Sequence, residues 1–176
     1  MIETYLNHTI EIQQDENPES PREWDNICIF HVAHKKYSFG DLNYNTFKSI
    51  ENAIKEALIV KSIVLPLYIY DHSGITISLS PFFCPWDSGQ VGFVEIPRKK
   101  MLSEFGGKIF TDKLKEKALE IAQQEVKNLD MYLRSEIYGY IIDDGDGDSC
   151  WGFYGEDEAL AEAKGTIKHM IKGIYG

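Results

Sequence analysis

Apolar residues recur every three or four positions in three long segments of the chain, which is the spacing of amphipathic α-helices. The segments are 47–58, 111–134 and 156–172, and Asn45 or Thr46 can cap the first of them. A shorter segment at 97–106 ends at Gly106, a residue type that commonly terminates helices. The pattern therefore predicts three main helices and one short helix.

Segments rich in β-branched and aromatic residues lie between these helices and predict strands. They are 5–13, 26–33, 64–70, 75–80, 91–96, 136–143 and 149–154. The strands follow one another in pairs and triplets instead of alternating with helices, which favours antiparallel pairing. We predict a single α+β domain over residues 1–176. It has a largely antiparallel sheet, with a central β-meander at 64–96 and hairpins, packed by the three main helices.

Chemically versatile side chains occupy the two turns of this meander. Asp71 and His72 lie in the first turn, and Cys84, Asp87 and Ser88 lie in the second. A thiol or hydroxyl within reach of a histidine and a carboxylate is the arrangement of a nucleophilic hydrolase. However, the strand at 75–80 separates the turns and would span about 20 Å. We expect the turns to lie at its opposite ends, so these five residues form a catalytic site only if the second loop folds back.

Four aspartates, Asp143, Asp144, Asp146 and Asp148, resemble the start of a calcium-binding loop. A loop beginning at Asp144 would need a bidentate glutamate at its twelfth position, which is Gly155. We therefore predict a solvated hairpin tip, with weak cation binding as the alternative. The five histidines show no HExxH or HxH spacing, and the chain has no Walker or GxGxxG motif. We expect no metal and no cofactor.

The chain has a formal net charge of −10, with 28 acidic against 18 basic residues. This balance disfavours direct binding to nucleic acid or to anionic membranes, because both require Lys and Arg to meet phosphates. The N-terminal residues lack the basic-then-apolar layout of a signal peptide, and no apolar run reaches about 20 residues. Three cysteines without a CxxC pair suit a reducing cytoplasm, where they act as small buried apolar groups.

Several segments together resemble one family of proteins. They are PREWDN at 21–26, the residues His34, Tyr37, Gly40 and Asp41, YDHSG at 70–74, SPFFCPWDSGQVGF at 80–93 and DSCWGFYG at 148–155. The chain is similar in these segments to an uncharacterised family that bacteriophages, plasmids and other bacterial mobile elements encode. The resemblance implies a protein of the bacterial host cytoplasm and supplies no reaction mechanism.

In that setting, small acidic proteins often inhibit host defences, and we predict a non-enzymatic protein that binds a nuclease-type defence protein such as a CRISPR effector. Its partner would present a basic, nucleic-acid-handling surface. The expected binding residues are Glu23, Trp24, Asp25, Trp86, Asp87, Asp143, Asp144, Asp146, Asp148 and Trp151. One alternative is a small hydrolase or metal-dependent nuclease that uses the two meander turns. The other is a dimeric accessory protein of phage DNA metabolism.

Overall fold

The computed structural model describes residues 1–107, 109–143 and 148–174, with side chains described up to residue 171. The chain forms two compact units. The terminal unit combines Met1–Glu19 with Met131–Gly176, and the central unit comprises Ser20–Asp130. Both units contain helices and mostly antiparallel sheet, so the predicted α+β class is confirmed. The expectation of a single domain stays a prediction.

The elements are numbered in chain order. They are β1 (Ile2–Tyr5), β2 (His8–Gln14), β3 (Ile29–Val32), β4 (Leu42–Asn43), α1 (Phe47–Ile59), β5 (Ile63–Asp71), β6 (Ile75–Ser78), β7 (Ser88–Ile96), α2 (Arg98–Phe105), α3 (Asp112–Leu133), β8 (Ile137–Ile142), β9 (Ser149–Tyr154) and α4 (Glu156–Ile174). A 3-10 turn at Pro21–Glu23 precedes β3.

The terminal unit is a four-stranded antiparallel sheet in the order β1-β2-β8-β9, with α4 against one face. Alternate residues of β2 and β8 point to the helix, as the period of two in a strand requires. This buried core consists of Ile10, Ile12, Tyr140, Ile142, Ala159, Ala163 and Ile167. The small alanines let α4 approach the sheet closely. The other face of the sheet carries Trp151 from β9, which lies opposite Gly139 of β8.

The central unit is a five-stranded sheet in the order β4-β3-β7-β5-β6. Among the described residues of this unit, only β3 and β4 are parallel, and β5 and β7 form the longest pair. The side-chain oxygen of Thr46 accepts a hydrogen bond from the backbone N–H of Ser49, which caps α1 as predicted. Ile50 and Ala57 of this helix pack against Phe93 of β7 in a buried cluster.

The strand pairing differs from a meander in one respect. β5 and β6 form the expected hairpin, but β7 pairs with β5 and not with β6. β6 has only four residues, and the backbone N–H on its outer side, at Ile77, donates to the Asp130 carboxylate at 2.8 Å. β7 has nine residues, and β5, which also has nine, is long enough to pair along its whole length, whereas β6 is not.

The first predicted strand is also two strands. β1 and β2 form a hairpin whose turn residues, Leu6 and Asn7, have φ angles of 50° and 66°. Positive φ at both positions is the geometry of a two-residue turn that glycine and asparagine usually provide. Leucine at the first position gave no turn signal, which is why the sequence pattern merged the two strands.

Two glycines of the terminal unit should respond oppositely to alanine. A Cβ at Gly139 would lie 2.2 Å from the Trp151 ring and 2.8 Å from the Cys150 carbonyl oxygen, whereas a Cβ at Gly165 in α4 meets nothing within 4 Å. We expect Gly139→Ala to destabilise the protein by about 2 kcal/mol or more through overpacking. Gly165→Ala should stabilise it by about 0.5–1 kcal/mol through helix propensity. Urea unfolding measures both, and midpoint shifts in the same direction would contradict this packing.

Candidate functional site

The two turns that hold the candidate catalytic residues lie at the same end of the central sheet. Tyr70 near the end of β5 pairs with Ser88 at the start of β7, and the Asp71 N–H donates to the Asp87 carbonyl at 2.8 Å. The expectation that the turns lie at opposite ends was wrong. Because β6 stops at Ser78, its ends are only about 10 Å apart, and the nine residues of loop 79–87 return across that distance.

The Asp87 carboxylate joins the two turns. Its Oδ2 atom lies 3.4 Å from His72 Nδ1 and accepts a hydrogen bond from Cys84 Sγ at 3.8 Å. The Ser88 hydroxyl donates to the Cys84 carbonyl, which closes the base of the loop. Asp71 faces another segment: it accepts a hydrogen bond from the Tyr37 hydroxyl at 2.9 Å. The structure therefore brings all five candidate residues to one end of the sheet. The contacts of Asp87 and Ser88 hold the base of loop 79–87 there, and we call this set of contacts the Asp87 clasp.

The order of these contacts is not that of a cysteine–histidine nucleophile. An imidazole that activates a thiol must accept the proton of the thiol directly. Here both Cys84 and His72 contact the same oxygen of Asp87, so the carboxylate mediates between them. The His72 side chain is also 64% exposed, which leaves the cluster open to water. This geometry suits a hydrogen-bonded clasp better than a shielded catalytic centre.

The clasped loop presents two aromatic side chains to solvent. Phe82 lies against the Tyr70 ring, with centroids 5.7 Å apart, and this contact helps to anchor the loop. Phe83 and Trp86 extend outward and are 107% and 90% exposed. Large apolar side chains held in water by an ordered loop are typical of contact surfaces, where aromatic residues dominate the binding energy.

The predicted binding residues of the central unit near the 3-10 turn are only partly available. Glu23 is exposed and Trp24 is 42% exposed. Asp25 is exposed but forms an ion pair with Lys100 at 3.0 Å. A partner would therefore have to compete with Lys100 for this carboxylate.

The predicted binding residues of the terminal unit fall into three groups. Asp143 is held by His8 Nδ1 at 2.5 Å and by the Thr9 N–H at 2.8 Å. These hydrogen bonds, that of His8 first, lower the pKa of its carboxyl. Asp148 is exposed at the start of β9, and Trp151 is 44% exposed. Asp144 and Asp146 lie outside the described residues.

The formal charge is divided unevenly between the units. The terminal unit contains fourteen Asp and Glu against four Lys and Arg, whereas the central unit contains fourteen of each kind. The terminal unit therefore accounts for the whole net charge of −10. Its negative potential attracts basic groups and repels phosphates. The sequence conceals this asymmetry because the unit is built from both ends of the chain.

A buried polar network inside the central unit was missed from the sequence. His31 of β3 is 4% exposed, with Nδ1 2.9 Å from the Tyr44 hydroxyl and Nε2 3.1 Å from a Glu95 carboxylate oxygen. The other Glu95 oxygen accepts from the Ser62 hydroxyl at 2.7 Å. The available signal was a glutamate inside the apolar run of β7. Burial lowers the pKa of His31, although the hydrogen bond to Glu95 opposes the shift.

Within the described part of the chain, no three His, Cys, Asp or Glu side chains are arranged to hold a metal ion. Over the same residues, every helix is too short or too polar to cross a membrane. Comparisons with protein-family models, with curated proteins and with solved structures find no match to the chain. The resemblance to a mobile-element family stays a prediction.

Acidification should weaken the fold through His31. Its native pKa lies below the ordinary 6.5, so the unfolded chain takes up this proton first. The free energy of unfolding is therefore highest above pH 6.5 and falls as the pH drops below it, by at most about 1.4 kcal/mol per pH unit for one proton. Urea unfolding between pH 7 and pH 5 should show this slope in the wild type and in His169→Gln. It should be reduced in His31→Gln, and an unchanged slope in that variant would contradict the assignment.

Proposed function

We propose that this protein acts by binding a host protein with a basic, nucleic-acid-handling surface, and that it thereby inhibits a nuclease-type defence such as a CRISPR effector. The observation that carries the proposal is the concentration of the entire −10 net charge in the terminal unit. One unit of the chain is neutral and the other is strongly acidic. General solubility does not require this uneven distribution, so we infer that the acidic unit serves to bind a partner.

The charge pattern supports a protein partner rather than a nucleic acid. Phosphate binding requires a basic surface, whereas a nuclease channel that binds DNA or RNA is itself basic and attracts carboxylates. The described acids of the terminal unit that remain exposed include Glu16, Asp148, Asp157 and Glu162. They steer association over several ångströms, so they act mainly on the rate of binding and make it sensitive to salt.

The loop of the central unit supplies a second kind of contact. Phe83 and Trp86 are exposed on loop 79–87, and the contacts of Asp87 and Ser88 tie the base of this loop to the sheet. A loop that is already tied to the sheet at its base loses less conformational freedom on binding than a free loop does. Charged groups and exposed aromatic side chains both contribute to protein interfaces, and each unit by itself presents one of these two kinds of contact.

The proposal predicts different effects of acids in the two units. The full chain should bind and inhibit purified CRISPR or restriction nucleases of the host in a DNA-cleavage assay. Asp148→Asn, Asp157→Asn and Glu162→Gln together should slow association at low salt by about tenfold. The matched control is Glu51→Gln, Glu104→Gln and Glu120→Gln, which removes the same charge from exposed positions of the central unit and should have a smaller effect.

Stopped-flow or surface-binding kinetics at several salt concentrations measure these rates. Equal losses in the two triple variants would contradict the role of the terminal unit. Failure to bind any host nuclease would overturn the partner class.

A thiol hydrolase is the second candidate, because Cys84, Asp87 and His72 lie in one cluster. It requires His72 to move from the carboxylate to the thiol when substrate binds. A panel of ester and amide substrates tests it. Hydrolysis that is abolished by both Cys84→Ala and His72→Ala would support the enzyme, and hydrolysis that is absent or unchanged in the two variants would exclude this assembly.

A further inference from the structure

A cleft of about 390 Å³ lies in the terminal unit beside β9. Its lining residues are Gln13, Gln14, Asp15, Glu16, Asn17 and Trp151. The cleft thus combines an indole, two carboxylates and three side-chain amides, with no aliphatic residue. A site lined in this way does not suit an apolar ligand, but it offers many oxygen acceptors beside one aromatic ring.

The indole of Trp151 is fixed against the sheet. Trp151 pairs with Gly139, and its six-membered ring lies so close that any Cβ at this glycine would clash. The absence of a side chain at position 139 therefore makes room for the ring. The side chain is still 44% exposed. Trp151 is consequently a positioned aromatic wall that remains open to the cleft.

The acidic wall of the cleft is also fixed at its base. The Asp15 N–H donates to the Ile137 carbonyl at 2.8 Å, and the Asp15 carboxylate accepts from the Asn17 N–H at 3.0 Å. Among the residues that the structure describes, no Lys, Arg or His forms an ion pair with Asp15 or Glu16. Two carboxylates beside an aromatic ring therefore lack a cation from the described chain.

The chemistry of these groups selects a planar cation. A guanidinium stacks on an aromatic face and donates several N–H groups in its own plane, to carboxylates and amide oxygens alike. An ammonium group carries the same charge, but it cannot donate several N–H groups in one plane. The net charge of the terminal unit raises the local concentration of either cation.

We propose that the Trp151 cleft is a recognition site for an arginine side chain of the partner protein. The source of that arginine rests on the proposed function, since a basic nuclease surface would supply it. The guanidinium stacks against Trp151, and its N–H groups donate to Asp15, Glu16 and the glutamine side-chain oxygens. The cleft then gives the acidic unit a specific anchor in addition to its general attraction for basic surfaces.

The test uses the full chain and a small probe, so it needs no partner. Acetyl-arginine amide is titrated into the protein, and the backbone amide resonances of residues 13–17 and 149–152 are followed by NMR. We expect saturable shifts with a dissociation constant on the order of millimolar. Acetyl-citrulline amide, the neutral isostere, should produce no saturable shift, and acetyl-lysine amide should bind more weakly.

Charge variants distinguish arginine binding in the cleft from the general attraction of cations by the net charge of the terminal unit. Asp15→Asn with Glu16→Gln keeps the acceptor for Asn17 and should weaken arginine binding by about tenfold. Glu156→Gln with Glu158→Gln removes the same charge from exposed positions of α4 and should weaken arginine binding much less. Trp151→Leu should weaken it as well, with folding checked by circular dichroism.

Equal shifts with citrulline, equal binding of lysine, or equal losses in the two double variants would overturn the arginine site. None of these outcomes depends on nuclease inhibition. A protein that inhibits a nuclease but does not bind the arginine probe refutes the cleft alone, and one that binds the probe but no nuclease refutes the proposed partner alone.

Discussion

The Arg22 guanidinium forms a network of ion pairs and hydrogen bonds that ties four segments of the central unit together. It binds Asp41 through two nitrogens, at 2.8 and 3.2 Å, and Glu125 of α3 at 2.9 Å. It also donates to the Cys28 carbonyl at 2.8 Å and lies over the Phe30 ring at 4.2 Å. One side chain thus connects the 3-10 turn, the start of β3, the loop before β4 and the middle of α3.

The two acids extend this network into the backbone. Asp41 accepts from the Phe30 N–H at 2.7 Å, and Glu125 accepts from the Ile27 N–H at 2.9 Å. Without Arg22, the Glu125 carboxylate, whose side chain is 11% exposed, would be left largely buried without a cation. Removing one partner of a buried ion pair destabilises a protein far more than replacing the whole pair by apolar residues does. The same burial, with Glu125 nearby, raises the pKa of the Cys28 thiol, so that this cysteine acts as a small apolar group as the sequence suggested. Cys150, in contrast, is exposed.

The sequence predicted those features that depend on neighbouring residues. The four helices and the hairpin turn at Asp71–Ile75 follow from apolar spacing and turn residues, and the structure has them within a few positions. Pro66, which has no N–H to donate, lies in the part of β5 that has a single neighbour, because β6 covers β5 only from Tyr68 to Asp71.

Features that depend on distant pairing were not predictable in this way. Loop 79–87 returns to His72 because β7 pairs with β5 and not with β6. No local sequence pattern specifies the strand with which β7 pairs. The acidic unit consists of the first nineteen and the last forty-six residues of the chain. Its carboxylates come together only because β2 pairs with β8, so no single segment of the sequence reveals the excess of negative charge. The predicted binding residues Trp86 and Trp151 are solvent-accessible, but only the structure shows that Trp151 borders a cleft with Asp15.

Hydrogen–deuterium exchange on the full chain, alone and bound to a nuclease that it inhibits, tests the central claim most directly. The claim is that the acidic terminal unit faces the partner. It predicts that binding slows exchange at residues 13–17 and in β9, where the cleft and the adjoining edge strand lie. Protection confined to the central unit, with unchanged exchange at 13–17 and in β9, would contradict it.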